Sequence, residues 1–191
     1  MIKILYDFGL VFEGDDDVYP PSDDSFLLIG SLDIRAGERI LELGCGSGIV
    51  SMHCVVNGGI VTCGDINKKA VALTKKNMSL NSLDAVVVET NVYSNIRGEF
   101  DTIIFNLPYL PVNEEGDLAL AWSGGEDGLG PLPELISDAH DHLLPKGRII
   151  VVVSSLMDQD ALRSVLNDHT VKVLSELHLF FETLSVLEIS L

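Results

Sequence analysis

The chain has 191 residues, of which 47% are hydrophobic and 21% are charged. This length and composition are typical of one globular domain with a full hydrophobic core. The net charge of -17 at pH 7 disfavours free DNA or RNA as a partner, because an acidic surface repels phosphates. Such a surface would attract a basic protein, although an acidic surface that serves only solubility explains the charge equally well.

The cysteines and histidines give no pattern of metal ligands. Cys45, Cys54 and Cys63 lie in apolar stretches without Cys-x-x-Cys spacing, so we expect reduced, buried thiols of an intracellular protein. His140 and His142 are two positions apart on a predicted helix and do not face one ligand, so we expect no metal. The sequence has neither a signal-peptide pattern nor an apolar run of about 20 residues, which predicts a cytoplasmic protein that does not span a membrane.

The predicted elements begin with short strands within residues 1–19. Ser22 is typical of a helix N-cap, and acidic residues follow it in the first turn of a helix predicted over 23–32. We expect residues 1–35 to be an N-terminal extension and residues 36–191 to be the core of a single domain.

Five predicted strands then alternate with helices, which is typical of a parallel sheet with helices on both faces. The predicted strands are 39–43, 60–63, 85–88, 100–105 and 148–153, and the predicted helices between them are 49–57, 68–80 and 131–144. A helix over 158–166 precedes two last strands, 171–177 and 184–191. Because no helix separates those two strands, we expect them to pair antiparallel. The prediction is a doubly wound α/β sheet of seven mostly parallel strands.

The first core strand runs into the glycine turn Glu42-Leu43-Gly44-Cys45-Gly46-Ser47-Gly48, which a predicted helix follows. This order opens nucleotide-binding α/β units, because glycine permits positive φ and lets a ligand lie against the backbone. The spacing differs from Gly-x-Gly-x-x-Gly of dinucleotide binders and lacks the Lys-Ser/Thr of a P-loop. It resembles motif I of S-adenosylmethionine (SAM) methyltransferases, whose cationic cofactor suits an acid such as Glu42. The alternative is a strand-to-helix turn without a ligand.

Further polar residues follow the next two core strands, where ligands of such sheets bind. Asp65 ends the second strand, where its carboxylate can accept hydrogen bonds from both hydroxyls of a ribose. The alternative is a cap for the next helix. Asn91 follows the third strand, within reach of an adenine edge, and the alternative is a turn residue.

The segment Asn106-Leu107-Pro108-Tyr109 follows the fourth core strand. A planar amide or aromatic amine is a weak nucleophile, so it needs hydrogen-bond acceptors and a wall that align it with the sulfonium methyl. The Asn106 oxygen and the Leu107 carbonyl are suitable acceptors, and the Tyr109 ring is a suitable wall, because positioning carries most of the rate. After the fourth strand, the tetrapeptide Asn-Pro-Pro-Tyr is the signature of methyltransferases that act on planar amino nitrogens. This segment resembles it, with Leu107 in place of the first proline. Pro108 still restricts Leu107 to extended conformations, and a simple X-Pro turn is the alternative.

Together these features resemble the HemK/PrmC family of protein N5-glutamine methyltransferases, in its short archaeal–eukaryotic branch. Beyond the glycine turn and the Asn-Leu-Pro-Tyr tetrapeptide, the similarity includes residues 18–28, 122–128 and 182–187. The resemblance implies a Rossmann-like class I SAM-dependent methyltransferase. It also implies that the substrate is the glutamine in the Gly-Gly-Gln loop of a class-1 translation termination (release) factor.

The resemblance implies roles for individual residues as well. Contacts to SAM would come from Ser25, Glu42, Gly44, Cys45, Gly46, Gly48, Asp65, Ile66, Asn91 and Asn106. The substrate would bind Asn106, Leu107, Pro108 and Tyr109, of which Asn106, Pro108 and Tyr109 form the catalytic set. Two positions depart from the family pattern, since Leu107 replaces a proline and Asn91 replaces an aspartate.

The same branch works with a small zinc-ribbon activator protein. The apolar strand predicted from Ala85 to Val88 lies at the sheet edge in the usual methyltransferase order, so we expect the activator to dock there unless the chain's own helices cover that edge. Two other functions stay open. One is an adenine-N6 methyltransferase acting on a flipped base of DNA or RNA, against which the lack of a basic face counts. The other is a non-catalytic SAM-binding subunit.

Overall fold

A large mixed sheet with helices on both faces forms the body of the computed structural model, which describes residues 3–5 and 9–191. The strands are β1 (Lys3–Leu5), β2 (Val11–Glu13), β3 (Arg39–Leu43), β4 (Ile60–Asp65), β5 (Val86–Glu89), β6 (Phe100–Phe105), β7 (Leu143–Ser154), β8 (Thr170–His178) and β9 (Thr183–Ser190). The helices are α1 (Asp23–Ser31), α2 (Ile49–Val56), α3 (Lys68–Leu80), α4 (Leu132–Asp138) and α5 (Gln159–Leu166), with single 3-10 turns at Ala119–Ala121 and Ala139–Asp141.

The large sheet has the strand order β5-β4-β3-β6-β7-β9-β8. The five strands from β5 to β7 pair in parallel, whereas β9 runs antiparallel to both of its neighbours. The predicted doubly wound α/β fold, with seven mostly parallel strands and an antiparallel pair at its end, is confirmed.

Two apolar cores hold the sheet, one on each face. The core under α4 and α5 includes Leu41, Ile103 and Val151. The core under α1 and α2 includes Ile40 and Ile104. Neighbouring residues of one strand therefore belong to opposite cores, as the period of two requires, and a sheet covered on both faces needs nearly continuous apolar strands.

The chain before β3 forms a small ribbon and a helix. β1 pairs antiparallel with β2, which agrees with the strands predicted within residues 1–19. Positions 1, 2 and 6–8 of that prediction lie outside the described residues. Ser22 occupies the N-cap position of α1, as predicted, and its backbone N–H donates to Ser25 Oγ at 3.4 Å.

The helix predicted over residues 131–144 is shorter in the structure. α4 ends at Asp138, and a single 3-10 turn follows it. The prediction was wrong because Leu143 already pairs with Phe100 in the sheet, so the chain must leave the helix earlier. The register of the β6–β7 pair then shifts, and residues 144–147 form an irregular segment within β7.

The two histidines predicted on that helix lie beyond it. His140 is in the 3-10 turn, and His142 follows it and stacks on Tyr93 with the ring centroids 4.3 Å apart. All three cysteines are buried and free. In the part of the chain that the structure describes, no group of three His, Cys, Asp or Glu side chains is placed to hold a metal ion. The helices of that same part are all too short or too polar to cross a membrane.

A buried carboxylate just before β3 is linked to β6 and β7. Glu38 is 4% exposed and accepts hydrogen bonds from the Arg35 N–H at 2.8 Å and the Thr102 hydroxyl at 2.6 Å. It also pairs with Arg148 at 3.3 Å, and Arg148 pairs with Glu188 of β9 at 2.9 Å. Burial raises the pKa of Glu38, but these hydrogen bonds and the Arg148 charge outweigh it and hold the pKa below its usual value.

Replacing this carboxylate should remove a pH-dependent part of the stability. Because the pKa of Glu38 is lower in the folded chain, its charge stabilises the fold above the unfolded-state pKa, and this contribution is lost as the pH falls through the folded-state pKa. As the pH is lowered from about 5 to about 3, the denaturant concentration at the unfolding midpoint should decrease. We expect this decrease to be smaller in Glu38→Gln than in the unchanged chain.

The control for this measurement is Glu89→Gln, because the Glu89 carboxylate is half exposed and, among the described residues, reaches only Lys68 at 3.7 Å. Its acid unfolding should follow that of the unchanged chain. An equal loss of pH dependence in both variants would contradict the role given to Glu38.

Candidate functional site

A cleft of about 350 Å³ opens at the carboxyl ends of β3, β4, β5 and β6. It is lined by the glycine turn, by Asp65, by the residues after β5 and β6, and by segments before and within α1. With two exceptions, the cleft brings together all the residues that the sequence predicted for the cofactor and the substrate. Gly48 lies at the start of α2, and the side chain of Tyr109 packs against both cores instead of lining the cleft.

The glycine turn depends on conformations that side chains rarely adopt. Gly44, Gly46 and Gly48 have φ of 65°, 53° and 83°. A Cβ at Gly44 would lie 2.7 Å from the Phe105 ring, and a Cβ at Gly48 would lie 2.9 Å from Thr74. Glycine at these two positions therefore lets the turn pack directly against the end of β6 and against α3.

A buried asparagine fixes this turn from behind and was not predicted. Asn77 of α3 donates to the Ser47 carbonyl at 2.8 Å and to the Glu13 carbonyl at 3.0 Å. Its side-chain oxygen accepts the Glu13 N–H at 2.8 Å. One side chain thus ties the glycine turn to β2, and only the tertiary structure reveals it.

Asp65 connects the glycine turn to the end of β4. Its Oδ2 accepts the Gly46 N–H at 2.9 Å, and its Oδ1 accepts the Asn67 N–H at 2.8 Å. Burial raises the pKa of Asp65, and these hydrogen bonds oppose the rise. Each carboxylate oxygen keeps a lone pair for a ligand. The cap of α3 is Asn67, whose side chain accepts the Lys69 N–H, so the cap role considered for Asp65 belongs to Asn67.

Glu42 places a buried carboxyl group against the cleft. It is 3% exposed and accepts a hydrogen bond from the Ser51 hydroxyl of α2. Burial, with Cys63 nearby, raises the pKa of Glu42 well above its ordinary value. A cationic ligand group in the cleft would favour the charged carboxylate, because opposite charges lower the pKa of an acid.

The other residues predicted to contact a cofactor also line the cleft. Asn91 is exposed after β5, beside Val92, which has a positive φ of 42°. Ile66 is exposed at its rim, whereas Ser25 and Cys45 are buried. These residues come from separate elements and meet because the carboxyl ends of parallel strands share one edge.

Asn106 gives the cleft an unsatisfied hydrogen-bond acceptor. Its Oδ1 is buried and has no hydrogen-bond partner among the described residues. Leaving such an atom unpaired costs about 1–3 kcal/mol, so it indicates a site where a ligand supplies the missing donor. The side chain of the next residue, Leu107, is buried in the core under α4 and α5. The predicted role of Leu107 as a hydrogen-bond acceptor uses its backbone carbonyl and does not depend on this side chain.

Asp24 is a candidate site residue that the sequence analysis missed. It lines the cleft, is 4% exposed, and its Oδ1 accepts the Ser25 N–H at 2.5 Å and the Ser25 hydroxyl at 3.0 Å. Its Oδ2 accepts the Tyr109 hydroxyl at 3.2 Å. Burial and the Asp24 charge raise the pKa of Tyr109, so the phenol stays protonated and can donate. We interpreted Asp24 only as an acid suited to the helix dipole.

The loop after the tetrapeptide folds back onto it through three glycines. A Cβ at Gly124 would lie 2.8 Å from the Pro108 carbonyl oxygen, and one at Gly130 would lie 2.7 Å from the same atom. A Cβ at Gly128 would lie 2.7 Å from the Tyr109 carbonyl oxygen. Gly124 and Gly128 belong to the segment 122–128 that carries part of the family resemblance, and together with Gly130 they let this loop cover the tetrapeptide.

Comparison with known proteins relates the chain to methyltransferases. The family model described as methyltransferase small domain matches residues 22–176. A Methanocaldococcus jannaschii protein assigned as a protein N5-glutamine methyltransferase is 35% identical over 153 residues, which cover 78% of each chain.

Solved structures share the fold at lower identity. The E. cuniculi Mtq2-Trm112 complex, described as responsible for methylation of the eRF1 translation termination factor, gives a TM-score of 0.72 at 18% identity, over 91% of this chain and 98% of that one. The T. thermophilus 16S rRNA N2 G1207 methyltransferase, solved with AdoMet and guanosine, gives a TM-score of 0.67 at 19% identity, over 89% of this chain and 43% of that one.

A side chain at Gly44 should weaken SAM binding. Gly44→Ala forces positive φ on a residue with a Cβ and drives that atom into the Phe105 ring. We expect the dissociation constant for SAM, measured by titration calorimetry, to rise at least about 10-fold.

The matched control is Gly37→Ala. Gly37 also has a positive φ, of 81°, but apart from its chain neighbours no atom of the described residues lies within 4 Å of its Cβ position. Its cost is therefore limited to backbone strain of about 1–2 kcal/mol in folding, with SAM affinity retained. Equal affinity of the two variants for SAM would contradict the packing explanation.

Proposed function

This chain belongs to the methyltransferase small domain family, as a HemK-type SAM-dependent protein methyltransferase, and we propose its acceptor from that premise. The acceptor is the side-chain amide nitrogen of the glutamine in the Gly-Gly-Gln loop of a class-1 translation termination factor. The relative from M. jannaschii, assigned to glutamine methylation, and the E. cuniculi complex that methylates eRF1 support this proposal. The structural observation that carries it is the unpaired Oδ1 of Asn106.

The residues of the cleft fit SAM as the cofactor. Bound SAM supplies a methyl group on a sulfonium that a weak nucleophile can attack. Gly44 and Gly46 leave backbone open to the ligand, and Asp65 has lone pairs for the ribose hydroxyls. Asn91 and Glu42 also line the cleft. Asn91 would accept a hydrogen bond from the adenine amino group, and Glu42 would supply negative charge for the cationic part of the ligand.

Asn106 and Leu107 would hold the glutamine amide for transfer. The Asn106 Oδ1 accepts one amide N–H, and the Leu107 carbonyl accepts the other, so the nitrogen faces the methyl group. The amide needs no strong base before transfer, because its nitrogen would release its proton to solvent only after the N–C bond has formed and the bond between the methyl group and sulfur has broken. Orientation and electrostatics then carry the rate.

Pro108 and Tyr109 would shape the slot for this amide. Tyr109 does so from behind, since its hydroxyl donates to Asp24 and its ring packs between both cores. Asp24 is thus a positioning residue that ties α1 to the tetrapeptide. The leucine at position 107 preserves the backbone acceptor, because only its side chain enters the core.

The charge of the cleft favours a protein acceptor over a nucleic acid. The described residues that line it include four acids, Asp24, Glu42, Asp65 and Asp117, and no Lys or Arg. Phosphates of DNA or RNA would be repelled there. A non-catalytic SAM-binding subunit would have no use for an unpaired buried acceptor beside the cofactor, so the Asn106 oxygen favours catalysis.

We also propose that a small zinc-ribbon activator docks on the outer edge of β5. This strand ends the large sheet, and Val86 is 58% exposed on it, whereas Val87 and Val88 are half-buried. An open edge offers unpaired backbone groups and needs cover. The E. cuniculi relative of this fold is solved with the partner Trm112, which supports a partner of this kind.

The acceptor is tested by transfer of labelled methyl from SAM to the cognate termination factor. We expect label on the intact factor and none on a copy whose loop glutamine is replaced by alanine. Asn106→Ala should lower kcat at least about 100-fold, because it removes an acceptor used in the transition state, while SAM affinity changes by less than about 10-fold. Equal labelling of both factors would contradict the proposal.

The partner site is tested with a charge on the β5 edge. Val86→Glu should abolish co-purification of a small zinc-ribbon protein, because a carboxylate cannot enter an apolar interface without a partner charge. Val173→Glu places the same charge on the opposite edge strand, β8, at a side chain that is 52% exposed, and should leave the complex intact. Equal behaviour of both variants would count against docking at β5.

A further inference from the structure

The β8–β9 hairpin ends in two aromatic side chains that the fold does not use. Phe180 is 93% exposed and Phe181 is 85% exposed, and their rings meet edge to face with centroids 4.6 Å apart. The turn itself is closed by the Leu179 N–H, which donates to the Glu182 carbonyl at 2.8 Å. Such turns favour Gly, Asn and Asp, so folding gives no reason for two phenylalanines at the tip.

This hairpin tip lies at the same edge of the sheet as the cleft. Since β9 runs antiparallel to β7, Leu184 near the tip pairs with Ser154 at the carboxyl end of β7. The Ser155 N–H donates to the Thr183 carbonyl at 2.9 Å, and the Ser154 hydroxyl donates to Glu182 at 2.7 Å. The tip is therefore held in place beside the ends of the parallel strands.

The segment after β7, to which the tip is bonded, also contacts the loop over the tetrapeptide. The Asp158 N–H donates to the Asp127 carbonyl at 2.8 Å, and a Cβ at Gly128 would lie 3.3 Å from Met157. The hairpin tip, the segment after β7 and the loop over the tetrapeptide thus form one continuous rim.

We propose that Phe180 and Phe181 are a docking contact for the methyl-accepting protein and bind an apolar depression on its folded surface, beside the loop that carries the target glutamine. This inference rests on the proposed function and specifies where the acceptor sits. Exposed aromatic pairs of this kind are typical anchors of protein interfaces, and apolar groups that lie together on a surface mark interaction sites more than single ones do.

The size of the cleft indicates that the partner bound by Phe180 and Phe181 is the acceptor protein. About 350 Å³ is in the range of small-molecule sites and far too small for a folded protein, so a folded acceptor must lie on the rim while its glutamine reaches Asn106. The charges nearby describe the acceptor further. Residues 110–130 carry five acids and no Lys or Arg, so the apolar depression should be surrounded by basic side chains.

The test compares two acceptors of the same methyl group, the intact termination factor and a short peptide of its glutamine loop. In Phe180→Ser/Phe181→Ser, we expect KM for the factor to rise at least about 10-fold with kcat within about twofold. KM for the peptide should stay unchanged, because a short peptide does not reach the hairpin. Val173→Ser, on the far part of the same hairpin and 52% exposed, should leave both KM values unchanged.

Several outcomes would overturn the docking proposal. An unchanged KM for the factor would do so, as would an equal rise of KM for factor and peptide. A third such result is that the unchanged chain self-associates, with the double variant abolishing this association and leaving KM unchanged. That result would mean that Phe180 and Phe181 bind a second copy of this chain. If the double variant transfers methyl to the factor with an unaltered KM, only the docking proposal is contradicted. If the unchanged chain transfers methyl to neither acceptor, the proposed function is contradicted as well.

The two rings make no packing contribution to a core, so the double variant should melt at the temperature of the unchanged chain. If it does not fold, the single variants Phe180→Ser and Phe181→Ser take its place, and each should raise KM for the factor in part.

Discussion

The parallel pairing of β3 with β6 is the constraint on which the site depends. Leu43 pairs with Phe105, so the glycine turn and the tetrapeptide leave the sheet side by side. Gly44 has no side chain there because the Phe105 ring occupies the space. The register is held by apolar residues of both cores, since a slip by one residue would exchange the two faces of the strand.

Around this pair of loops, the fold buries polar groups that destabilise it. The Asn106 oxygen is buried without a donor, and Glu42 and Asp24 are carboxyl groups removed from water. Each costs free energy in the isolated chain. The apolar cores on either side of the sheet offset that cost, and a cofactor and an amide with the right donors and charge would relieve it.

The sequence was sufficient for most of the fold, because apolar runs, glycines and prolines are local signals. It was insufficient where distant segments decide the structure. Leu143 joins the sheet through Phe100, which no local pattern around α4 shows. Asp24 and Tyr109 are 85 positions apart, so their hydrogen bond could not be inferred from either segment alone. For the same reason Asn77 was interpreted as a helix residue only, although it holds the glycine turn.

The most direct test of the central claim is the position of the transferred methyl group. Tandem mass spectrometry of the termination factor, after incubation with SAM carrying a deuterated methyl, locates it to one atom. We predict the label on the side-chain amide nitrogen of the glutamine in the Gly-Gly-Gln loop. Label on a lysine or on any other residue, with that glutamine unmodified, would contradict the account.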